Sequence, residues 1–210
     1  MTAIRHVFFD IGGVLATNGW DREQRKVAVE KFGLSEAEFQ SRHEEMVGPL
    51  EQGQISLDEY LDIAVFYEPR EFTREEFREF IFAQSQPYEG SIAIARAVAE
   101  GCRYWVMTMN NEGEDLNRHR ICTFGLDEFC DAFLSSCWLG LRKPAQQFYR
   151  RALGISEARP NESVFIDDRP QNLAPAKALG IRTIHYQNPA QLASELRSLG
   201  VQFNLKETSA

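Results

Sequence analysis

Four short apolar runs punctuate an otherwise mixed chain: Val7-Phe8-Phe9, Tyr104-Trp105-Val106-Met107, Val164-Phe165-Ile166, and the stretch Ile181 to Tyr186 that contains Thr183 and Ile184. Most are continuous and do not alternate with polar residues, which predicts strands buried on both faces, as in a parallel sheet. Helical spacing fills the intervals between the later runs. Pro144 to Leu153 stops at Gly154, Pro170 to Leu179 stops at Gly180, and Leu192, Leu196 and Leu199 share a face before Gly200. Ser91 to Glu100 makes a further helix ahead of Gly101. Strand and helix in alternation predict an α/β chain with a Rossmann-like parallel sheet.

The first crossover breaks that rhythm, because Phe9 and Tyr104 are far further apart than one helix requires. Within the gap, Ser35 with Glu38, Ser56 with Glu59 and Thr73 with Glu76 each fit the capping box, in which hydroxyl and carboxylate satisfy a helix's first free N–H groups. Leu57, Leu61 and Ala64 form one apolar stripe and Phe77, Phe80 and Ile81 another, so the helices can pack as a small bundle. The expected organisation is an α/β core over 1–15 and 87–210 and an inserted α-helical cap over 16–86.

Hydrophobic residues at 43% and charged residues at 26%, with 15 Phe, exclude a disordered chain. No apolar run is long enough to cross a bilayer, and Asp10 stops the first at once, so neither leader nor anchor nor membrane partner is expected. Lys plus Arg total 23 against 31 Asp plus Glu, a net charge of -8 that argues against nucleic acid as a partner. Cys102, Cys122, Cys130 and Cys137 show no C-x-x-C spacing and read as reduced thiols of a cytoplasmic protein. His119 and Cys122 could share a helix face, but two ligands without partners are a weak metal signal. Trp20, Phe66 and Tyr67 read as packing residues. The sequence assigns no oligomeric state.

In open parallel sheets ligands bind at the carboxyl ends of the strands. The first strand runs into Asp10, followed by Gly12-Gly13, which permits a tight turn. The second ends at Thr108-Met109-Asn110-Asn111, a hydroxyl and amides with backbone N–H groups able to receive an anion. Lys143-Pro144 opens a helix with a compact charge, and Asp167-Asp168 closes the Val164 run, with Asn172 one helical turn on. Asp10, Asp167 and Asp168 make a hard-oxygen set suited to Mg²⁺. An aspartate attacking a phosphate needs a metal and a lysine to neutralise charge and donors for the phosphoryl oxygens, and all four parts are present in order.

Phe9-Asp10-Ile11-Gly12-Gly13-Val14-Leu15, Thr108, Lys143-Pro144 and Asp167-Asp168 resemble the four ordered motifs of the haloacid dehalogenase-like (HAD-like) hydrolase superfamily, in the subfamily with a helical cap after the first motif. Thr108 to Gly180 is similar to bacterial sugar-phosphate phosphatases and to the N-terminal phosphatase domain of soluble epoxide hydrolase. The resemblance implies a Mg²⁺-dependent phosphatase acting on a small phosphorylated metabolite through an aspartyl phosphate. It makes Asp10 the nucleophile, gives the phosphoryl group to Thr108 and the N–H of Met109, and makes Lys143 the neutralising cation. It assigns the metal to Asp10, the Gly12 carbonyl, Asp168 and, directly or through a second ligand layer, Asp167.

One departure stands out. The family's phosphatases usually carry a second aspartate two residues after the nucleophile as acid and base, and this chain has Gly12. Losing such a group costs about 10²- to 10⁴-fold, which implies slow turnover. Asp21, His43, Glu112 and Glu114 are the candidate substitutes. The alternatives are a phosphate-binding relative without turnover, or a 2-haloacid dehalogenase, which would not need paired carboxylates at 167 and 168.

Overall fold

The computed structural model describes residues 2–205. Among them, five strands form one parallel sheet in the order β3-β2-β1-β4-β5: β1 (His6–Phe9), β2 (Trp105–Asn110), β3 (Ala132–Ser135), β4 (Ser163–Asp167) and β5 (Arg182–His185). The continuous apolar runs are explained by layers on both faces. Val7, Phe9, Val106, Val164 and Ile166 pack on one side with Ile92, Ala95 and Val98 of α5 (Glu89–Glu100) and Leu192 and Leu196 of α10 (Pro189–Ser198). Phe8, Met107, Met109 and Phe165 pack on the other with Phe148, Tyr149 and Ala152 of α8 (Gln146–Ile155) and Leu173 and Ala176 of α9 (Pro170–Ala178). Successive strand residues point to opposite faces, so covering both faces demands an unbroken apolar run.

Between β1 and α5 lie α1 (Arg22–Phe32), α2 (Glu36–Glu51), α3 (Leu57–Ala64) and α4 (Arg74–Ala83). They enclose a separate apolar cluster with Phe39, Tyr60, Leu61, Phe77 and Ile81 buried in it. Phe77 is its hub, with ring centroids 4.7 Å from Phe32, 5.8 Å from Phe72 and 5.9 Å from Trp20. The capping boxes at Ser56–Glu59 and Thr73–Glu76 are complete. Ser35 does sit at the start of α2 but makes no side-chain cap, and the Glu38 carboxylate accepts from the Tyr67 hydroxyl at 2.9 Å. The pattern passed over α1, a polar helix that buries only Arg25 and Ala28 and starts at Asp21.

Two stretches join these helices to the sheet and lie side by side. Thr17 N–H donates to the Gln86 carbonyl at 2.8 Å, and its hydroxyl donates to the Gln84 carbonyl at 2.9 Å. The remaining elements are α6 (Glu114–Thr123) after β2 and the one-turn α7 (Ser136–Leu139) after β3. The cysteines are free thiols. Among the described residues no helix is long and apolar enough to cross a membrane.

Candidate active site

The chain builds β1, β2 and β3 outward on one side, then crosses to place β4 and β5 on the other side of β1, so β1 and β4 meet where the winding reverses. Clefts form at such a reversal, beyond the carboxyl ends of the strands. Register aligns the chemistry there: Phe9 lies beside both Ile166 and Thr108, so the next residues, Asp10 and Asp167, emerge side by side. Asp10 N–H donates to the Ile166 carbonyl at 2.9 Å.

Lys143 joins the two carboxylates. Its Nζ lies 2.8 Å from Asp10 Oδ2 and 2.6 Å from Asp167 Oδ2, with all three side chains at most 9% exposed. Burial alone would pull the ammonium's pKa down, but Asp10 and Asp167 outweigh it and hold the value above the ordinary one, so the lysine is charged. Its backbone is clamped in turn: Lys143 N–H donates to Asn111 Oδ1, and Asn111 Nδ2 donates to the Lys143 carbonyl, each at 2.9 Å. Asn110 and Asn111, expected from their place after the second apolar run to receive an anion, are engaged within the protein. The structure gives Asn111 to Lys143 and ties Asn110 to Asn117 at 2.8 Å and to the Ser135 hydroxyl at 2.8 Å.

The paired aspartates differ in their commitments. Asp167 Oδ1 accepts from Arg169 N–H at 2.8 Å and Asn172 Nδ2 at 3.0 Å, while Oδ2 faces Lys143, so both oxygens are engaged. Asp168 Oδ1 is buried without a hydrogen-bond partner. Burial and the neighbouring Asp167 push its carboxyl upward, the electrostatic signature of a place that favours a cation. Oxygens of Asp10, Asp167 and Asp168 all lie within 4.8 Å of one another, the one such acidic group among the described residues. Gly13 makes room for it: at φ +77° it is left-handed, and a Cβ there would lie 2.4 Å from the Asp168 carboxyl carbon. His119 and Cys122 gather no such group; the His119 ring stacks on Phe82, 4.6 Å between centroids.

Thr108 and Met109 lie within β2, not beyond it, so the strand runs three residues past the Met107 of the apolar run. Thr108 is fully buried, and its hydroxyl has no partner. Met109 is buried opposite Leu134 of β3.

A cavity of about 360 Å³ opens above this group, walled by Asp10, Gly12, Asn111, Glu112 and Lys143 from the sheet side. Trp20, Asp21, Arg25, His43 and Glu51 wall it from the helical insertion, with Arg142 and Arg169 between. Trp20, read from sequence as packing, both packs and lines this wall. Two ion pairs join residues of this wall: Arg169 to Asp21 at 2.7 Å and Arg142 to Glu51 at 2.6 Å.

Asn18 and Arg120 face Gly12. A Cβ on Gly12 would lie 3.2 Å from Asn18 Oδ1 and 3.6 Å from Arg120 Nη1, and one on Gly19 would lie 2.3 Å from Arg120 Nη2. Arg120 donates to the Ser85 hydroxyl at 2.9 Å and the Thr17 carbonyl at 2.8 Å, one on each connecting stretch, and pairs with Glu112 at 3.1 Å. Nothing in the sequence marked Arg120, since a lone arginine on a polar helix reads as solvated.

The described residues 4–180 match the family model for haloacid dehalogenase-like hydrolases. The chain is 26% identical over 213 residues to D-ribitol-5-phosphate phosphatase of Bacteroides thetaiotaomicron, covering 92% of this chain and 97% of that one. It is also 26% identical over 221 residues to bifunctional epoxide hydrolase 2 of Sus scrofa, covering 95% of this chain but spanning only 40% of that protein's length. A HAD family enzyme from Bacteroides thetaiotaomicron, solved with magnesium and inorganic phosphate, superposes with a TM-score of 0.72 at 18% identity, covering 89% of this chain and 96% of that one. An L-2-haloacid dehalogenase superposes with a TM-score of 0.61 at 20% identity, covering 90% and 87%. Sheet order, insertion and the family match agree: the chain belongs to the haloacid dehalogenase-like hydrolases.

Proposed function

We propose that this hydrolase is a Mg²⁺-dependent phosphatase that cleaves a small phosphomonoester through an aspartyl phosphate on Asp10. The observation that carries the reading is the charge arrangement at the strand ends: a buried lysine between Asp10 and Asp167, and beside them an Asp168 oxygen with no partner. A dehalogenase nucleophile needs no third carboxylate poised for a cation. The donor set fits Mg²⁺, which takes carboxylate oxygens, carbonyls and waters. Asp10, Asp168 and the Gly12 carbonyl would hold it, with Asp167 committed to Lys143 and to orienting the group. The ion would supply charge neutralisation for the incoming phosphoryl group.

The rest is done by the chain. One Asp10 oxygen accepts from Ile11 N–H at 2.8 Å, which fixes the carboxylate and leaves the other oxygen on the Lys143 side. Lys143 offsets charge as Asp10 approaches phosphorus. The family resemblance gives the phosphoryl oxygens to the Thr108 hydroxyl and the Met109 backbone; both lie buried in β2 beneath the cavity lining and not among the residues that wall it, and the Thr108 hydroxyl has no other partner. Residues 16–86 act as a cap that excludes bulk water from the aspartyl phosphate. A cavity of about 360 Å³ walled by paired charges suits a small, hydroxyl-rich phosphorylated metabolite. The similarity to D-ribitol-5-phosphate phosphatase supports that substrate class.

The test is phosphate release from p-nitrophenyl phosphate and a panel of small sugar and polyol phosphates, with Mg²⁺ or with EDTA. Activity that requires Mg²⁺ and disappears in Asp10→Asn is the expected result. Phosphate release unchanged by EDTA, or chloride release from a 2-haloacid under EDTA, would overturn it.

A further inference from the structure

Resting on the phosphatase reading, we infer that Glu112 is the acid and base of the reaction, working from the turn after β2 in place of a side chain at Gly12. Glu112 walls the same cavity as Asp10 and Gly12. Its Oε2 pairs with Arg120 Nη1 at 3.1 Å, and that nitrogen sits 3.6 Å from where a Gly12 Cβ would be. Its Oε1 accepts from Gly113 N–H at 3.2 Å, so the carboxyl is held at both oxygens, with the Arg120 guanidinium between it and Gly12.

The other candidates fit less well. Asp21 is held in the same manner, by Arg22 N–H at 2.7 Å and Arg169 at 2.7 Å, but its side chain is 41% exposed against 12% for Glu112, so the cavity does not shield it from bulk water. His43 Nδ1 meets the Tyr60 hydroxyl at 2.9 Å; Tyr60 also accepts from Trp20 Nε1, which leaves its own proton for His43. Burial drops His43 to about 3, so near neutral pH it is uncharged, too weak a base to take a proton from water and without the imidazolium proton an acid would give. Glu114 is half-exposed and pairs with Arg118 at 2.7 Å. Glu112 also has the right protonation. Burial lifts its carboxyl to about 7, against Arg120 of α6, with Glu51 of α2 and Asp21 ahead of α1 pushing the same way as burial. A group that gains and loses a proton near neutral pH is suited to both halves of the cycle.

In the first half an Asp10 oxygen bonds to phosphorus, the bond from phosphorus to the ester oxygen breaks, and that oxygen leaves as an alcohol with the Glu112 proton. In the second half a water oxygen bonds to phosphorus, Glu112 takes one water proton, and the bond to Asp10 breaks. Inorganic phosphate departs, and both carboxyl groups return to their starting states.

The experiment compares wild type, Glu112→Gln and Gly12→Asp/Glu112→Gln in Mg²⁺, on p-nitrophenyl phosphate and glycerol phosphate. Glu112→Gln is expected to lose about 10²- to 10⁴-fold in kcat on glycerol phosphate. On p-nitrophenyl phosphate, whose leaving group needs no proton, it should release a burst of one equivalent of nitrophenol and then turn over slowly as aspartyl phosphate accumulates. A carboxylate restored at position 12 should recover turnover at least tenfold, which a purely structural Glu112–Arg120 pair would not produce. If the Gln variant fails to fold in urea titration, Glu112→Asp replaces it, with kcat expected to fall and KM to hold. Glu112→Gln within threefold of wild type on both substrates, or equal losses on both with neither burst nor rescue, overturns the assignment. An active wild type that requires Asp10 but is indifferent to position 112 removes Glu112 alone. A wild type without Mg²⁺-dependent phosphate release removes the phosphatase reading and this inference with it.

Discussion

Replacing Lys143 with Met keeps most of an unbranched apolar stem and deletes one charge. The lysine side chain is 1% exposed, and its two partners, at 2.8 and 2.6 Å, are 9% and 0% exposed. Removing one member of a buried set leaves the others uncompensated, at a cost of about 3–5 kcal/mol. Arg96 and Glu128 supply the internal control: their separation is also 2.8 Å, but they are 40% and 63% exposed. Solvent screening limits that pair to under about 1 kcal/mol. For a chain of this size each kcal/mol moves Tm by about 2–4 °C, so Lys143→Met should melt roughly 6–20 °C lower and Arg96→Ala no more than about 4 °C lower. Urea unfolding at pH 7.5 in EDTA measures both. Acid should narrow the Lys143→Met deficit, because protonating one of the paired aspartates removes the repulsion. Excess Mg²⁺ should stabilise either protein that binds it, by about 2.7 kcal/mol at a hundred times its Kd, so the deficit is compared in EDTA. A loss below about 1 kcal/mol in Lys143→Met, no larger than in Arg96→Ala, would refute the reasoning that burial, not distance, sets the value of this pair.

Thr108→Val should leave Tm unchanged or raise it, because the hydroxyl it removes is buried without a partner, yet lower kcat/KM for phosphomonoesters at least tenfold; equal kinetics with wild type would free Thr108 of its role. Gly53→Ala forces a left-handed residue, φ +67°, against the Cys137 carbonyl 2.1 Å from the new Cβ, so it should cost more than about 2 kcal/mol. Gly33→Ala, at φ +62° with open space around it, should cost only about 1–2 kcal/mol, and urea midpoints rank the two. Glu112 rises on folding from 4.5 to about 7, so its contribution is complete below pH 4.5 and is lost as pH rises through 7. The stability of wild type relative to Glu112→Gln should therefore decline by about 3 kcal/mol over that window and stay level above it, as read by urea midpoints at stepped pH.

The sheet side of the molecule was legible because strands covered on both faces must be apolar throughout, and because Asp10, Lys143, Asp167 and Asp168 interrupt or follow those runs with charge. β3 was not. Ala132–Ser135 lies at the sheet edge with Ala132 and Phe133 only half-buried, so its pattern is short and weak. β2 was read short at its carboxyl end because Thr108 and Asn110 are polar, although both are buried inside the sheet and Asn110 is bonded there. Two capping boxes were readable since their chemistry is local. At Ser35 the same pattern makes no cap, and the Glu38 carboxylate is engaged by Tyr67, 29 residues away. Pairings of that span leave no trace in a local pattern. The same holds for the Asn111 clamp on Lys143, 32 residues away, and for Arg120, which reaches Thr17 across 103.

Arg120 links the missing side chain at position 12 to the attachment of the helical insertion. It passes between Gly12 and Gly19, holds Thr17 and Ser85 on the two connecting stretches, and meets Glu112 in the cavity wall. A side chain at either glycine would crowd the guanidinium or its neighbour Asn18, whose Oδ1 would be 3.2 Å from a Gly12 Cβ. Gly12→Asp in the otherwise native chain would therefore put two carboxylates on one arginine. Like charges that close do not both ionise, so one would hold a proton and Glu112 would be pushed higher still. The substitution that restores the family pattern is thus expected to change turnover by no more than a few-fold while Glu112 is present, and to matter only once Glu112 is gone. A large gain from Gly12→Asp alone, measured on glycerol phosphate, would mean that Glu112 does no proton transfer in the native chain.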